Sequence, residues 1–146
     1  MTRAEGPIIL EYPINTSVDK LWSALVDIEE MVQWYFDNIP DFKAEVGFQT
    51  QFLITNEGRH FTHVWEVTHV VPKAEISYSW RYPEYPGKSL LSFYLLPKNK
   101  QLKLKVVVEV LEDFPQDIPE FKRESCIGGW NYFIGERLTD YLSPSA

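Results

Sequence analysis

The sequence predicts an α+β fold in which a curved antiparallel β-sheet wraps around one long C-terminal helix. From residue 44 onward, apolar and polar residues alternate, which is the period of half-buried β-strands. The segment 119–142 instead carries apolar residues at spacings of three and four, which indicates a helix with one apolar stripe. Only the preceding strands can cover such a stripe, so we expect the sheet to lie against this helix.

The N-terminal part predicts one strand followed by two short helices. Alternation over residues 8–12 predicts a strand that ends at Pro13. Thr16 is the predicted N-cap of the first helix, because a carboxylate follows three residues later. Asp27 is the predicted N-cap of the second helix, which we expect to end near Tyr35.

The middle of the chain predicts a meander of antiparallel strands. Turn residues at 56–58, 83–87 and 98–100 separate the alternating segments. Short connections favour pairing between strands that follow one another in the sequence. The predicted strands cover residues 47–55, 60–71, 74–82, 89–96 and 101–111. Their alternation predicts one apolar face and one solvated face of the sheet.

Two adjacent glycines interrupt the apolar stripe of the terminal helix. Gly128 and Gly129 each cost about 1 kcal/mol of helix stability relative to alanine. Three explanations are open at this point: close packing of the helix on the sheet, room for a ligand beside Trp130, or a kink in the helix.

The charge and cysteine content exclude several classes of partner. The net charge is −7 and the pI is near 4.9, whereas nucleic acids and anionic membranes are bound through clustered Lys and Arg. There is no run of 18 apolar residues, so we expect no membrane association. Cys126 is the single cysteine, which fits a reducing compartment, and we expect a cytoplasmic protein.

Short motifs occur in a characteristic order along these elements. They include Pro-Ile-Asn at 13–15, Ile-Ser-Tyr-Ser-Trp at 76–80 and Gly-Gly-Trp at 128–130. In this order the chain resembles the START-like, or SRPBCC, superfamily, and within it the branch similar to the activator of heat shock protein 90 ATPase. The resemblance implies a helix-grip fold that often encloses a hydrophobic cavity. It covers nearly the whole chain, so we expect one such domain over residues 1–146.

The resemblance leaves three functions open, because members are similar in shape to lipid carriers, polyketide cyclases, oxygenase subunits and a co-chaperone domain. We favour non-enzymatic binding of a small hydrophobic or amphipathic ligand. The second hypothesis is a co-chaperone-like module that contacts a chaperone through its acidic surface. The third is a cyclase-like or hydrolase-like enzyme, for which His63 is the catalytic candidate. The protein is expected to be a monomer or a homodimer.

We expect the cavity between the inner face of the sheet and the terminal helix, closed at one end by the short helices and hairpin tips. The alternative is that the inward-facing rings simply fill a core. The predicted lining residues are Trp34 and Phe36 near the short helices, Phe48, Phe52, Phe61, His63, Trp65, Tyr78, Trp80, Tyr82 and Phe93 in the strands, and Trp130, Phe133 and Ile134 in the terminal helix. No spacing of His, Cys, Asp and Glu is typical of a metal site, so we expect neither a metal nor another cofactor.

Overall fold

The computed structural model describes residues 1–143 and shows a helix-grip α+β fold. One six-stranded antiparallel sheet contains all the strands, in the order β1-β6-β5-β4-β3-β2. The strands are β1 (Ile8–Pro13), β2 (Gln49–Asn56), β3 (Arg59–Val71), β4 (Glu75–Arg81), β5 (Lys88–Lys98) and β6 (Gln101–Glu112). The predicted meander is therefore confirmed, and β1 completes the sheet by pairing with the last strand rather than with the next one.

The register of the sheet fixes which side chains lie next to one another on its inner face. Trp65 of β3 pairs with Trp80 of β4, and Val64 pairs with Arg81. The same register brings Tyr82, the residue after β4, beside His63. A bulge interrupts the β3–β4 pairing between Val67 and His69, beyond these aromatic residues.

The outer face of the sheet is less uniformly solvated than its alternation predicts. Ser77 and Ser92 are partners in the β4–β5 register and are buried. Their hydroxyl groups hydrogen-bond to each other at 2.7 Å, which satisfies both polar groups away from water. In contrast, Ile9 on β1 is 54% exposed.

Two short helices connect β1 to β2, as the sequence predicts. They are α1 (Val18–Val26) and α2 (Ile28–Trp34). The prediction of Thr16 as the first N-cap is wrong by one residue: Ser17 has the extended backbone of a cap, and its hydroxyl accepts the Lys20 N–H at 3.2 Å. Asp27 caps α2 as predicted, since its carboxylate accepts the Glu29 N–H at 3.0 Å.

The terminal helix begins later than predicted and is not uniformly α-helical. Pro119 belongs to a separate 3-10 turn, Pro119–Phe121, and the extended backbone of Lys122 separates that turn from the helix. The terminal helix then comprises α3 (Arg123–Trp130), a π-helical segment (Asn131–Leu138) and α4 (Thr139–Leu142). Within it the Thr139 N–H reaches the Ile134 carbonyl, five residues earlier.

The buried apolar residues form two groups of unequal size. The larger group, here the main core, joins the inner face of the sheet to α1, α2 and the terminal helix. The smaller group, here the rim cluster, consists of Phe61, Val110, Phe114 and Phe121. It lies between one end of the sheet and the 3-10 turn before the terminal helix.

No helix in residues 1–143 is long and apolar enough to cross a membrane.

Candidate functional site

A cavity of about 410 Å³ lies between the sheet and the terminal helix, where the main core meets the rim cluster. Its walls are mostly apolar and aromatic, as in sites for small organic ligands. The lining residues are Met1, Phe36, Ile54, Asn56, Phe61, His63, Trp80, Tyr82, Ser89, Leu91, Val108, Phe114, Glu120, Phe121, Ser125, Cys126, Gly129, Trp130 and Phe133.

The structure divides the residues that the sequence proposed for the cavity into two sets. One set lines the cavity: Phe36, Phe61, His63, Trp80, Tyr82, Trp130 and Phe133. The other set packs in the main core or against it, away from the cavity: Trp34, Phe48, Phe52, Trp65, Tyr78, Phe93 and Ile134. Trp34 illustrates the difference, because it is fully buried and its indole N–H donates to the Ala24 carbonyl at 2.8 Å. The alternation of apolar and polar residues identifies the inner face of the sheet. It does not identify which rings on that face border the cavity.

Much of the wall comes from residues that the sequence did not point to. They are Met1, Ile54, Asn56, Ser89, Leu91, Val108, Phe114, Glu120, Phe121, Ser125 and Cys126. The segment before the terminal helix contributes Phe114 and Phe121, two aromatic residues in an otherwise polar loop with prolines. Such rings in a polar loop are a signal that the loop packs against a core. This signal could have placed the loop at the cavity.

His63 is the polar residue at the centre of the aromatic wall. It is 7% exposed, and its ring stacks on Phe52 with 5.0 Å between centroids. Its Nδ1 lies 3.0 Å from the Phe61 carbonyl oxygen, which can only accept, so Nδ1 carries the proton. Burial lowers the pKa of His63 to about 4, with the Phe61 hydrogen bond opposing part of that shift. His63 is therefore neutral at pH 7, with a lone pair on Nε2.

Tyr82 stands beside His63, and the centroids of the two rings are 5.0 Å apart in an edge-to-face arrangement. Burial raises the pKa of the Tyr82 phenol well above its ordinary range, so the hydroxyl stays protonated at neutral pH. The neighbouring Trp80 contributes an indole N–H that is fully buried and lacks a hydrogen-bond partner among residues 1–143. This part of the wall thus contains polar groups with unused hydrogen-bonding capacity.

The terminal helix leaves space for the cavity at its double glycine. A Cβ added at Gly129 would meet no heavy atom within 4 Å, and Gly129 lines the cavity. Gly128 has the same free space but is exposed to solvent. The close-packing explanation is therefore wrong, and Gly129 borders open space at the cavity wall. One turn earlier, burial raises the pKa of the Cys126 thiol to about 11, so this group is neutral too.

A polar contact spans the outer edge of the cavity. The Arg59 guanidinium donates to the Glu120 carboxylate at 2.9 Å from both Nε and Nη2, and Asn56 Nδ2 donates to the same carboxylate at 2.7 Å. We call these three residues the rim latch. Hydrogen bonds from Arg59 hold the pKa of Glu120 below its ordinary value. The latch ties the β2–β3 hairpin to the 3-10 turn that precedes the terminal helix.

No metal site is formed by the described side chains. Within residues 1–143, no group of three or more His, Cys, Asp and Glu side chains is arranged to hold an ion. The lining combines apolar surface with the neutral polar groups of His63 and Tyr82, and it also includes Met1 and the charged Glu120.

Together the fold and the cavity between sheet and helix define a protein of the START-like, helix-grip class. The sequence model of the family described as Activator of Hsp90 ATPase homolog 1-like protein matches residues 15–143, and the chain belongs to that family. A search of curated protein sequences found no significant match.

Solved structures of similar fold come from several bacteria. A protein of Chromobacterium violaceum is 21% identical, with a TM-score of 0.77, and the alignment covers 97% of this chain and 99% of the other. A Mesorhizobium loti protein is 25% identical, with a TM-score of 0.71 and coverages of 93% and 96%. The Aha1 dimer of Colwellia psychrerythraea is 20% identical, with a TM-score of 0.70 and coverages of 93% and 95%.

Proposed function

We propose that this protein is a non-enzymatic binding protein for a small hydrophobic or amphipathic molecule held in the cavity. The observation that carries the proposal is the position of the cavity, which separates two apolar clusters that would otherwise form one core. Protein interiors are normally close-packed, so a cavity of about 410 Å³ is a costly feature for stability alone. A ligand that fills the space would recover the missing contacts.

Apolar contact would supply most of the affinity in this proposal. Burial stabilises a complex by about 25 cal/mol per Å² of apolar surface, less the cost of immobilising the ligand. Phe36 and Phe133 form one aromatic pair at the wall, with centroids 4.9 Å apart, and Trp80 and Trp130 form another at 6.1 Å. Flat aromatic walls of this kind favour ligands that contain rings.

The experiment that tests the proposal is a ligand screen of the intact protein. Thermal-shift assays with aromatic alcohols, sterols, fatty acids and polycyclic compounds would be followed by native mass spectrometry of each compound that raises the melting temperature. We expect at least one class to bind with one molecule per chain and to raise the melting temperature as its concentration increases. Absence of binding across all these classes would contradict the proposal.

A second candidate function is a co-chaperone-like interaction, which the family membership favours. In this case the acidic protein, with a net charge of −7, would contact a basic surface of a chaperone in the cytoplasm. The similarity in fold to a protein described as an Aha1 dimer also motivates a test for a homodimer. Pull-down with a purified chaperone of the heat shock protein 90 class at physiological salt, together with sedimentation of this protein alone, would examine both points. Loss of chaperone binding at that salt concentration would count against this candidate.

A further inference from the structure

We infer that the cavity selects a ligand whose polar group is a neutral hydroxyl, such as a phenol or an alcohol on a ring system, held between His63 and Tyr82. The inference rests on the proposed function, because it names the chemical class of the ligand that the same cavity would hold. It goes further by predicting that an otherwise identical carboxylate is rejected.

The first step of the argument is the direction of the free hydrogen-bonding groups. Since the His63 Nδ1 proton is engaged with the Phe61 carbonyl, the atom left over on His63 is Nε2, which can only accept. No hydrogen bond of residues 1–143 engages His63 Nε2. The Trp80 indole N–H lies near the Tyr82 hydroxyl and can only donate, so the Tyr82 proton stays free. Trp80 Nε1 is closed off from solvent, and the side chains of His63 and Tyr82 line the cavity. A ligand thus meets one acceptor and one hydroxyl.

The second step is that the two side chains are neighbours in the cavity wall. Their ring centroids are 5.0 Å apart in an edge-to-face arrangement, and both residues line the cavity. We therefore expect a ligand hydroxyl at this part of the wall to donate to His63 Nε2 and to accept from the Tyr82 O–H. A ketone or ether can use only the tyrosine, and an apolar substituent leaves both groups without partners.

The third step is that the charged groups of the described lining residues already have partners, so an anionic ligand meets no free counter-charge beside His63. Among the lining residues, the Glu120 carboxylate is already paired with Arg59. The Met1 ammonium donates to the Phe121 carbonyl and lies 3.9 Å from the Glu5 carboxylate. A carboxylate beside His63 would therefore face a lone pair and lose its hydration without gaining a cation. Burial of the neighbouring rings strengthens this penalty because it lowers the local dielectric.

The test uses three probes with one ring system: naphthol, methylnaphthalene and naphthoate, substituted at the same ring position. Their affinities for the wild-type protein would be measured by quenching of tryptophan fluorescence at neutral pH. We expect naphthol to bind about tenfold more tightly than methylnaphthalene, because two net hydrogen bonds are gained. Naphthoate should bind more weakly than either.

Variants assign the preference to the two side chains. Tyr82→Phe and His63→Phe each keep an aromatic ring and remove one polar partner, so each should reduce the ratio of naphthol to methylnaphthalene affinity toward one. Tyr85→Phe is the matched control, because Tyr85 packs against Phe61 outside the cavity lining. It should keep the wild-type ratio. If His63→Phe does not fold, Tyr82→Phe alone still decides the question.

The outcomes separate this inference from the function on which it rests. Equal binding of all three probes, or tightest binding of naphthoate, would overturn the hydroxyl preference while leaving a binding cavity in place. An unchanged ratio in Tyr82→Phe would also overturn it. Failure of all three probes to bind would overturn the hydroxyl preference together with the proposal that the cavity binds ring-containing ligands.

Discussion

Glu120 and Arg59 form an ion pair across the outer edge of the cavity, with the Arg59 Nη2 atom 2.9 Å from Glu120 Oε2. The two residues belong to separate parts of the chain: Arg59 opens β3, and Glu120 lies in the 3-10 turn before the terminal helix. Glu120 lines the cavity and also faces the outer surface depression beside Arg59. Their contact therefore joins two segments at the edge of the cavity, and we expect a ligand to enter between them.

Neutralising the latch should change the rates of ligand exchange more than the affinity. In Glu120→Gln the charge attraction is lost and the hairpin is freed from the 3-10 turn, so association and release should both become several-fold faster. Stopped-flow fluorescence with a compound found in the screen would measure these rates. Asp19→Asn is the control, because it removes a surface ion pair with Lys73 far from the cavity. Rates unchanged in Glu120→Gln would show that ligands enter elsewhere.

Gly87 is expected to be intolerant of any side chain. Its φ is +117°, and an added Cβ would lie 2.3 Å from Phe114 Cδ1, inside the rim cluster. Gly87→Ala should therefore lower the free energy of unfolding in urea by about 2 to 4 kcal/mol, through backbone strain and displacement of a buried ring. Gly58→Ala is the matched variant: φ is +79° but no atom lies within 4 Å. Equal losses in the two variants would show that Phe114 moves aside freely.

Acid should destabilise the protein in part through His63. Its pKa falls from 6.5 in the unfolded chain to about 4 in the fold, so the unfolded chain binds the extra proton between these values. Stability is thus complete above the unfolded pKa and declines as the pH falls toward 4, by roughly 2 to 3 kcal/mol at pH 4.5.

Substitution of His63 isolates this contribution from the acid response of the carboxylates. His63→Gln cannot titrate, so urea unfolding at pH 7.5 and 4.5 should show a smaller difference than in the wild-type protein. His60→Gln removes an exposed histidine from the same strand as a control. The same loss of stability in His63→Gln and wild type would contradict the assignment to His63.

The sequence predicts the sheet well because alternation reports local burial. In β6, Leu102, Leu104 and Val106 are buried and alternate with more exposed residues. The start of the terminal helix was harder to predict, since Pro119 is equally suited to the first turn of an α-helix and to the 3-10 turn that it occupies. The π-helical segment likewise depends on packing rather than on a pattern of residue types.

The cavity was only partly predictable, for a physical reason. Trp65 and His63 are two residues apart on one face of β3, yet only His63 reaches the cavity, because Trp65 contacts Tyr35 and Tyr78 instead. Whether an inward-facing ring packs against another ring or borders open space depends on the distance between the sheet and the helix. The sequence of one strand does not determine that distance. Gly129 did carry a local signal, because a glycine inside a helix has a cost that some other role must offset.

The central claim is that the cavity beside Gly129 holds the ligand, and a pair of glycine variants tests it most directly. Gly129→Leu should place a branched side chain in the space where the ligand would lie, whereas Gly128→Leu adds the same side chain on the exposed side of the helix. Each variant should gain up to about 1 kcal/mol of helix stability, so folding is not expected to separate them.

Calorimetric titration of a compound from the ligand screen into the three proteins is the deciding measurement. We expect saturable binding with one site in the wild-type protein and in Gly128→Leu, and loss of binding in Gly129→Leu. Wild-type affinity in a folded Gly129→Leu protein would contradict the account, because the ligand would then bind outside the cavity.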